Sequence, residues 1–307
     1  MRIAVMGTGG VGGYFGARLA QSGHDVSFIA RGRHLEAIRT NELRVESASG
    51  DIHLPEVDAT DDPASVGPVD LVLFGVKLWD TEASAELIKP MLGEQTGVVS
   101  FQNGVVKDDI LRRVLGAEHV IGGVCYIAAT IAGPGVIRHT GTLQKLVFGE
   151  YDGATSKRVQ AFHDACADSG IDVEISNRIE QTIWEKFVFL VGLSGTTSTA
   201  RVAIGPIRTD PRSREFLHDV MAEVVEVARA QGVPLPEDYA DDRLIFTDGV
   251  PAAMTSSMHQ DLERGNRLEV RWLSGDVVER GKALGVATPC NRAITDILSV
   301  HSEGHQT

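Results

Sequence analysis

Continuous apolar runs alternate with helically periodic stretches through the first half of the chain, whereas the second half carries helical periodicity throughout. Ile3–Met6, Asp70–Val76 and Gly97–Gln102 are unbroken runs of the kind a parallel strand shows when both faces are covered. Between and beyond them the pattern predicts a helix from Gly12 to about Gln21 with Gly23 as its stop, and a strand at Asp25–Ala30. A helix at Thr81–Leu92 breaks at Gly93. Short strands follow around Val120–Tyr126, Gly135–His139 and Leu143–Gly149, then a helix at Thr155–Ser169 and a strand at Asp172–Ile175. After Asn177 the pattern predicts a long apolar helix over about Ile179–Leu193, followed by a polar Gly, Ser and Thr stretch at Ser194–Ala200. Asp210 caps a helix with Pro211 at its first position, running to about Gln231 before Gly232. Further helices are predicted at Pro236–Phe246, Ser256–Arg264, Leu268–Leu284 and Pro289–Val300. The expected organisation is an α/β half, residues 1–177, and an all-helical half, residues 178–307, with a substrate cleft between them.

The first apolar run feeds Gly7-Thr8-Gly9-Gly10-Val11-Gly12-Gly13, where Gly7, Gly9 and Gly12 fit G-x-G-x-x-G. A strand entering such a turn and leaving as a helix presents backbone N–H groups and a positive helix end to a pyrophosphate. Gly7, Gly9, Gly10 and Gly12 are therefore the candidate cradle of a Rossmann dinucleotide-binding domain. An NAD site usually has a carboxylate about twenty residues past the turn, on the ribose hydroxyls. Here Phe28-Ile29-Ala30 ends in Arg31, with Arg33 close behind. A guanidinium pairs with a 2′-phosphate, so NADP(H) is expected over NAD(H); the bland alternative is a pair of solvated loop charges.

Composition narrows the partners. With 307 residues the chain is long enough for two domains. A formal net charge of −13 lacks the basic face that nucleic acid needs. No apolar run reaches the ~20 residues of a membrane span, and the first strand begins at the N-terminus without a signal peptide. Cys125, Cys166 and Cys290 have no metal-like spacing; they read as buried, non-catalytic thiols in a cytoplasmic protein. No metal site is expected. The long apolar helix of the second half makes a homodimer the expected assembly.

Three further segments carry chemistry. Trp184-Glu185-Lys186-Phe187 opens the long helix; Ser256-Ser257-Met258-His259-Gln260-Asp261 is followed by Gly265 and Glu269; and Lys77 and Gln102-Asn103-Gly104 follow two strand ends. With the glycine turn, these resemble the ketopantoate reductase family from Arg2 to about Leu298. The resemblance implies NADPH-dependent reduction of 2-dehydropantoate to pantoate, a step of pantothenate biosynthesis. It implies Lys186 as proton donor with Glu269 as a catalytic partner in the substrate site, Asn103 and Ser257 contacting the substrate or orienting the lysine, and Lys77 and Asn103 near the cofactor. The chemistry asks for these types in its own right. Hydride delivery to a ketone leaves charge on oxygen, which a cation able to give a proton stabilises. Each has a plainer reading: Lys186 could snorkel to solvent, Glu269 could pair on the surface with Arg267 or Arg271, and Lys77 could be solvated. Asn103-Gly104 is a common turn pair, and Ser257 could be a helix-start hydroxyl. Trp184 reads as packing, and His139 is given no catalytic step.

The resemblance is weakest where substrate is read. Leu190 and Ser194 stand at family asparagine positions, Arg271 at a usual acidic one, and Ser274 where an asparagine precedes glycine. A keto acid substrate is expected, reduced from 2-oxo acid to 2-hydroxy acid. The alternatives are a dehydrogenase of this architecture acting on another keto acid or an imine, and a non-catalytic NADPH-binding regulator. Arg271 could read a substrate carboxylate or face solvent.

Overall fold

The computed structural model describes residues 1–304, which divide into two units: residues 1–103 with 107–179, and residues 104–106 with 180–304. In the first unit β1 (Arg2–Met6), α1 (Gly10–Gln21), β2 (Asp25–Ile29), α2 (Gly32–Thr40), β3 (Leu43–Ser47), β4 (Ile52–Leu54), β5 (Asp58–Thr60) and β6 (Val69–Phe74) follow in turn. Then come α3 (Thr81–Ile88), β7 (Leu92–Ser100), α4 (Val106–Leu115), β8 (Val120–Gly133), β9 (Val136–Gly149), α5 (Lys157–Asp168) and β10 (Asp172–Ile175). The strands form one sheet in the order β4-β3-β9-β8-β7-β6-β1-β2-β5, with β10 also on β9. Its β5-β2-β1-β6-β7-β8 section is all parallel, and β1 neighbours both β2 and β6. This is the 3-2-1-4-5-6 order of a doubly wound Rossmann sheet, whose strand order reverses beside β1.

Alternation along the strands fills both faces. Ile3 and Val5 pack with Tyr14, Phe15 and Phe28 on one side, while Ala4 and Met6 pack with Ile29, Phe74 and Ile88 on the other. The three short strands expected between Val120 and Gly149 are instead two strands of 14 residues, paired antiparallel. The stretches between those expected strands, residues 127–134 and 140–142, contain no buried residue, and the strands continue into them by pairing with each other rather than by burial. The hydrophobic pattern does not predict helix α2 or strands β3 to β5, which are short and half polar.

The second unit is helical: α6 (Ile179–Ala200), α7 (Ile204–Thr209), α8 (Pro211–Ala230), α9 (Tyr239–Gly249), α10 (Ser257–Glu263), α11 (Ser274–Leu284) and α12 (Pro289–Leu298). Helix α6 does not end at Leu193. Ser194, Thr196, Thr197 and Ser198 are buried within it. The Thr196 and Thr197 hydroxyls donate to the Gly192 and Leu193 carbonyls at 2.7 and 2.6 Å, satisfying themselves on their own helix. A Cβ on Gly192 or Gly195 would lie 2.6 Å from Met221 or 2.7 Å from Ile294, so the small residues let α8 and α12 close in. The helix expected over Leu268–Leu284 is also divided: a 3₁₀ turn at Val270–Trp272 precedes α11. Its backbone leaves helical space at Leu273 (φ −107°, ψ −100°), a break that side-chain periodicity does not encode.

Candidate active site

The glycine turn leaves β1 at the reversal of strand order. The Ile29 carbonyl accepts from Gly7 N (3.2 Å), Thr8 N (3.0 Å) and the Thr8 hydroxyl (3.0 Å), pinning the turn to the end of β2. Gly7 has φ +96°, and a Cβ there would sit 2.8 Å from Val76 N. A Cβ on Gly12 would lie 2.3 Å from the Gly7 carbonyl, and one on Gly10 would lie 2.1 Å from the Ala129 carbonyl on β8. These three glycines are needed for packing. Gly9 differs: nothing lies within 4 Å of its Cβ position, so its bare backbone faces open space. Helix α1 starts there with no side-chain cap and no acidic residue in its first turn. Open backbone amides at a positive helix end fit a dinucleotide pyrophosphate.

Arg31 occupies the N-cap of α2, which likewise has no side-chain cap and no acid in its first turn. The guanidinium is exposed and donates to Asp80 at 3.0 Å, so Arg31 is ion-paired rather than simply solvated. Arg33 is exposed two residues further on. His34 accepts from Gly135 N at 3.1 Å, and burial lowers its pKa, keeping it neutral. Lys77 is exposed after β6, at the cap of the 3₁₀ turn Leu78–Asp80, with Nζ 5.5 Å from the Trp79 ring centre.

Asn103 ends the first stretch of the sheet-based unit, which resumes at Lys107. Behind it, Gln102 is buried and its amide donates to the Val76 carbonyl (2.9 Å) and the Thr81 hydroxyl (2.8 Å), while its oxygen accepts from Ser100 (3.0 Å). Gln102 thus ties the chain before Asn103 to the loop that carries Lys77. A glutamine in a turn motif gave no sign of that role. Gly104 (φ +82°) groups with the helical unit, where a Cβ would lie 3.2 Å from the Trp272 carbonyl.

In the helical unit Lys186 is half-buried on α6, between the buried Trp184 and Phe187, whose rings meet edge to face at 5.5 Å. Trp184 packs, as its composition suggested. Glu269 is only 7% exposed, so it lies inside the helical unit rather than on its surface; Arg267 pairs with Glu303 at 3.2 Å, and Arg271 is exposed beside Trp272. The two serines of the Ser256-Ser257 pair have separate situations. Ser256 is the helix cap, accepting from His259 N at 3.0 Å, and the buried His259 ring bonds the Thr197 carbonyl at 2.9 Å. Ser257 is exposed at the first position of α10, so the capping role falls to its neighbour.

Cys125 and Cys166 are buried, but Cys290 is only partly so, because it sits in the first turn of α12 rather than in a core layer. Burial and then Glu223 push its thiol up to about 12, and burial pushes Cys166 higher still. His139, held by Ser47 at 2.8 Å and against Tyr14, is structural. Among the described residues no group of three or more His, Cys, Asp or Glu side chains is placed to hold a metal, and no helix is long and apolar enough to cross a membrane.

The family model for ketopantoate reductase PanE/ApbA matches residues 3–153, and its C-terminal counterpart matches residues 178–302. The chain belongs to the ketopantoate reductase family. It is similar to 2-dehydropantoate 2-reductase of Halobacterium salinarum, 32% identical over 302 residues, covering 97% of this chain and 98% of the relative. Among solved structures, a PanE/ApbA family ketopantoate reductase from Ralstonia eutropha JMP134 is 36% identical at a TM-score of 0.89, covering 98% of each chain. The 2-dehydropantoate 2-reductase of Geobacter metallireducens GS-15 is 32% identical at a TM-score of 0.90, covering 98% of this chain and 99% of its own. Membership in the ketopantoate reductase family makes the chain an NAD(P)-dependent oxidoreductase.

Proposed function

We propose that the chain reduces a 2-oxo acid to the 2-hydroxy acid with NADPH, with Lys186 as the general acid. The observation that carries this reading is a half-buried lysine on α6 in the same helical unit as a buried carboxylate, Glu269, within a family of ketone reductases. Bound NADPH supplies the hydride. The Lys186 ammonium stabilises the charge that develops on the carbonyl oxygen and gives up a proton to it. Glu269 holds that ammonium or a substrate hydroxyl in place; Ser257 and Asn103 donate hydrogen bonds to the substrate. Gly7, Gly9, Gly10 and Gly12 hold the pyrophosphate, Lys77 and Asn103 lie by the cofactor, and Arg31 reads the 2′-phosphate.

The 2-dehydropantoate named for the relatives is the first substrate to try, and its reduction would put the protein in pantothenate biosynthesis. Leu190, half-buried one turn after Lys186, favours a second reading. Its side chain cannot hydrogen-bond a hydroxyl, which points to a keto acid with a less polar substituent. NADPH oxidation with a panel of 2-oxo acids tests both readings. Lys186→Ala should lower kcat by at least 100-fold with NADPH affinity within about threefold. Tight NADPH binding without turnover of any keto acid or imine would instead mark a cofactor-binding regulator.

A further inference from the structure

Helix α9 places Tyr239, Arg243 and Phe246 at i, i+4 and i+7, which is one helical face. That face lies along α6. The Tyr239 hydroxyl donates to the Glu185 carbonyl at 3.5 Å, and the Phe246 ring meets Phe189 edge to face at 5.1 Å. Lys186 and Leu190 form the adjoining row of α6, about 100° round the helix from Glu185 and Phe189. Arg243 sits midway along the α9 face, its guanidinium 4.9 Å from the Tyr239 ring centre and 5.1 Å from that of Phe246.

This arginine has aromatic faces but no anion. Its Nε is buried without a hydrogen-bond partner, and no ion pair to Arg243 occurs among the described residues. Of the three carboxylates on the same helix, Asp241 pairs with His218 at 3.2 Å and Asp248 with Arg214 at 2.7 and 2.9 Å, while Asp242 is exposed and makes no ion pair with Arg243. A guanidinium partly desolvated by two rings is costly to leave unpaired, whereas a carboxylate can take two of its donors at once. The rings flank the guanidinium and limit its freedom, so less order is lost when an anion arrives.

We propose that Arg243 binds the carboxylate of the 2-oxo acid, and that Phe246, half-exposed beside it, receives an apolar substituent of that acid. The inference rests on the functional reading above and assigns its specificity. Arg271, also cationic and exposed, is the competing carboxylate reader.

The test uses the full enzyme with NADPH. KM and kcat are measured for a 2-oxo acid and for its uncharged amide, and oxamate, an unreactive 2-oxo acid analogue, is titrated by calorimetry. Arg243→Met should raise KM for the acid and weaken oxamate by about 10–100-fold, with kcat within threefold and the amide unaffected. Arg243→Lys should recover part of the loss, because it keeps charge but not the two-pronged geometry. Unchanged oxamate affinity in Arg243→Met, an equal loss for acid and amide, or a loss that appears only in Arg271→Met would overturn the assignment. So would a change in oligomeric state without an effect on oxamate, which would mark α9 as a contact between copies. A wild-type enzyme that neither binds oxamate nor reduces any 2-oxo acid would overturn the functional reading itself.

Discussion

At the scale of single residues, the proposed preference for NADPH rests on Arg31, and Asp80 complicates it. The carboxylate occupies the guanidinium at 3.0 Å, where a 2′-phosphate would compete for it. The pair is largely exposed, however, and exposed pairs are weak, so a doubly charged phosphate with three acceptor oxygens can displace it. Arg31→Ala should therefore weaken NADPH by at least tenfold and NADH by less than twofold. Asp80→Asn should tighten NADPH several-fold, because the competing charge is gone and Arg31 remains. Fluorescence titration of both cofactors against both variants checks this, and equal losses of NADH and NADPH in Arg31→Ala would sink the phosphate-reading role. The motif around Gly7, the absence of a carboxylate after β2, and the chemistry-bearing types Lys186 and Glu269 were all legible in the sequence. Asp80 as a partner of Arg31 was not, because 49 residues separate them and only the sheet order joins the ends of β2 and β6. Arg243 was invisible for a related reason: its significance lies in the rings around it and the carboxylates it lacks.

At the scale of elements, parallel strands were read well where both faces are buried, and badly where the chain leaves that environment. β1 and β6 follow their apolar runs closely, whereas the β8–β9 hairpin continues well past the apolar signal. The C-terminal half of α6 shows the opposite failure. Gly, Ser and Thr argue against helix by propensity, yet close packing against α8 and α12 overrides a preference worth less than about 1 kcal/mol per residue. Helix α12 depends on an equally non-local device. Glu223 of α8 is buried and accepts from Cys290 N (2.6 Å), Asn291 N (2.9 Å) and the Asn291 side-chain amide (2.7 Å), so a carboxylate from another helix caps its first turn. Removing it leaves several donors without partners and a positive helix end unneutralised. Glu223→Ala should cost about 2–4 kcal/mol in urea unfolding, and Glu223→Gln, which keeps one oxygen, about half that. A loss below about 1 kcal/mol in Glu223→Ala would show that solvent satisfies those donors instead.

For the molecule as a whole, the division of labour is chemical: amides and cations that suit a dinucleotide lie in the sheet-based unit, and the candidate proton donor and carboxylate lie in the helical one. This separation makes cofactor and substrate binding distinguishable by amide hydrogen exchange. NADPH should slow exchange at Gly10 to Gly12, whose amides open an uncapped helix, and at Gly32 to His34 behind Arg31. Cofactor alone should leave α8 and α12 unchanged, since neither contains a residue assigned to it. Saturation at 100 times Kd would add about 2.7 kcal/mol to the stability of the state that binds, enough to protect the amides of the first unit that exchange only by its opening. Adding oxamate to the NADP⁺ complex should then slow exchange over Arg243 to Phe246 and around Ser257. Protection by NADPH that spared Gly10 to Gly12 would remove the glycine turn from the cofactor site, however well its sequence fits. Protection by oxamate confined to the first unit would remove Lys186 and Arg243 from the substrate site.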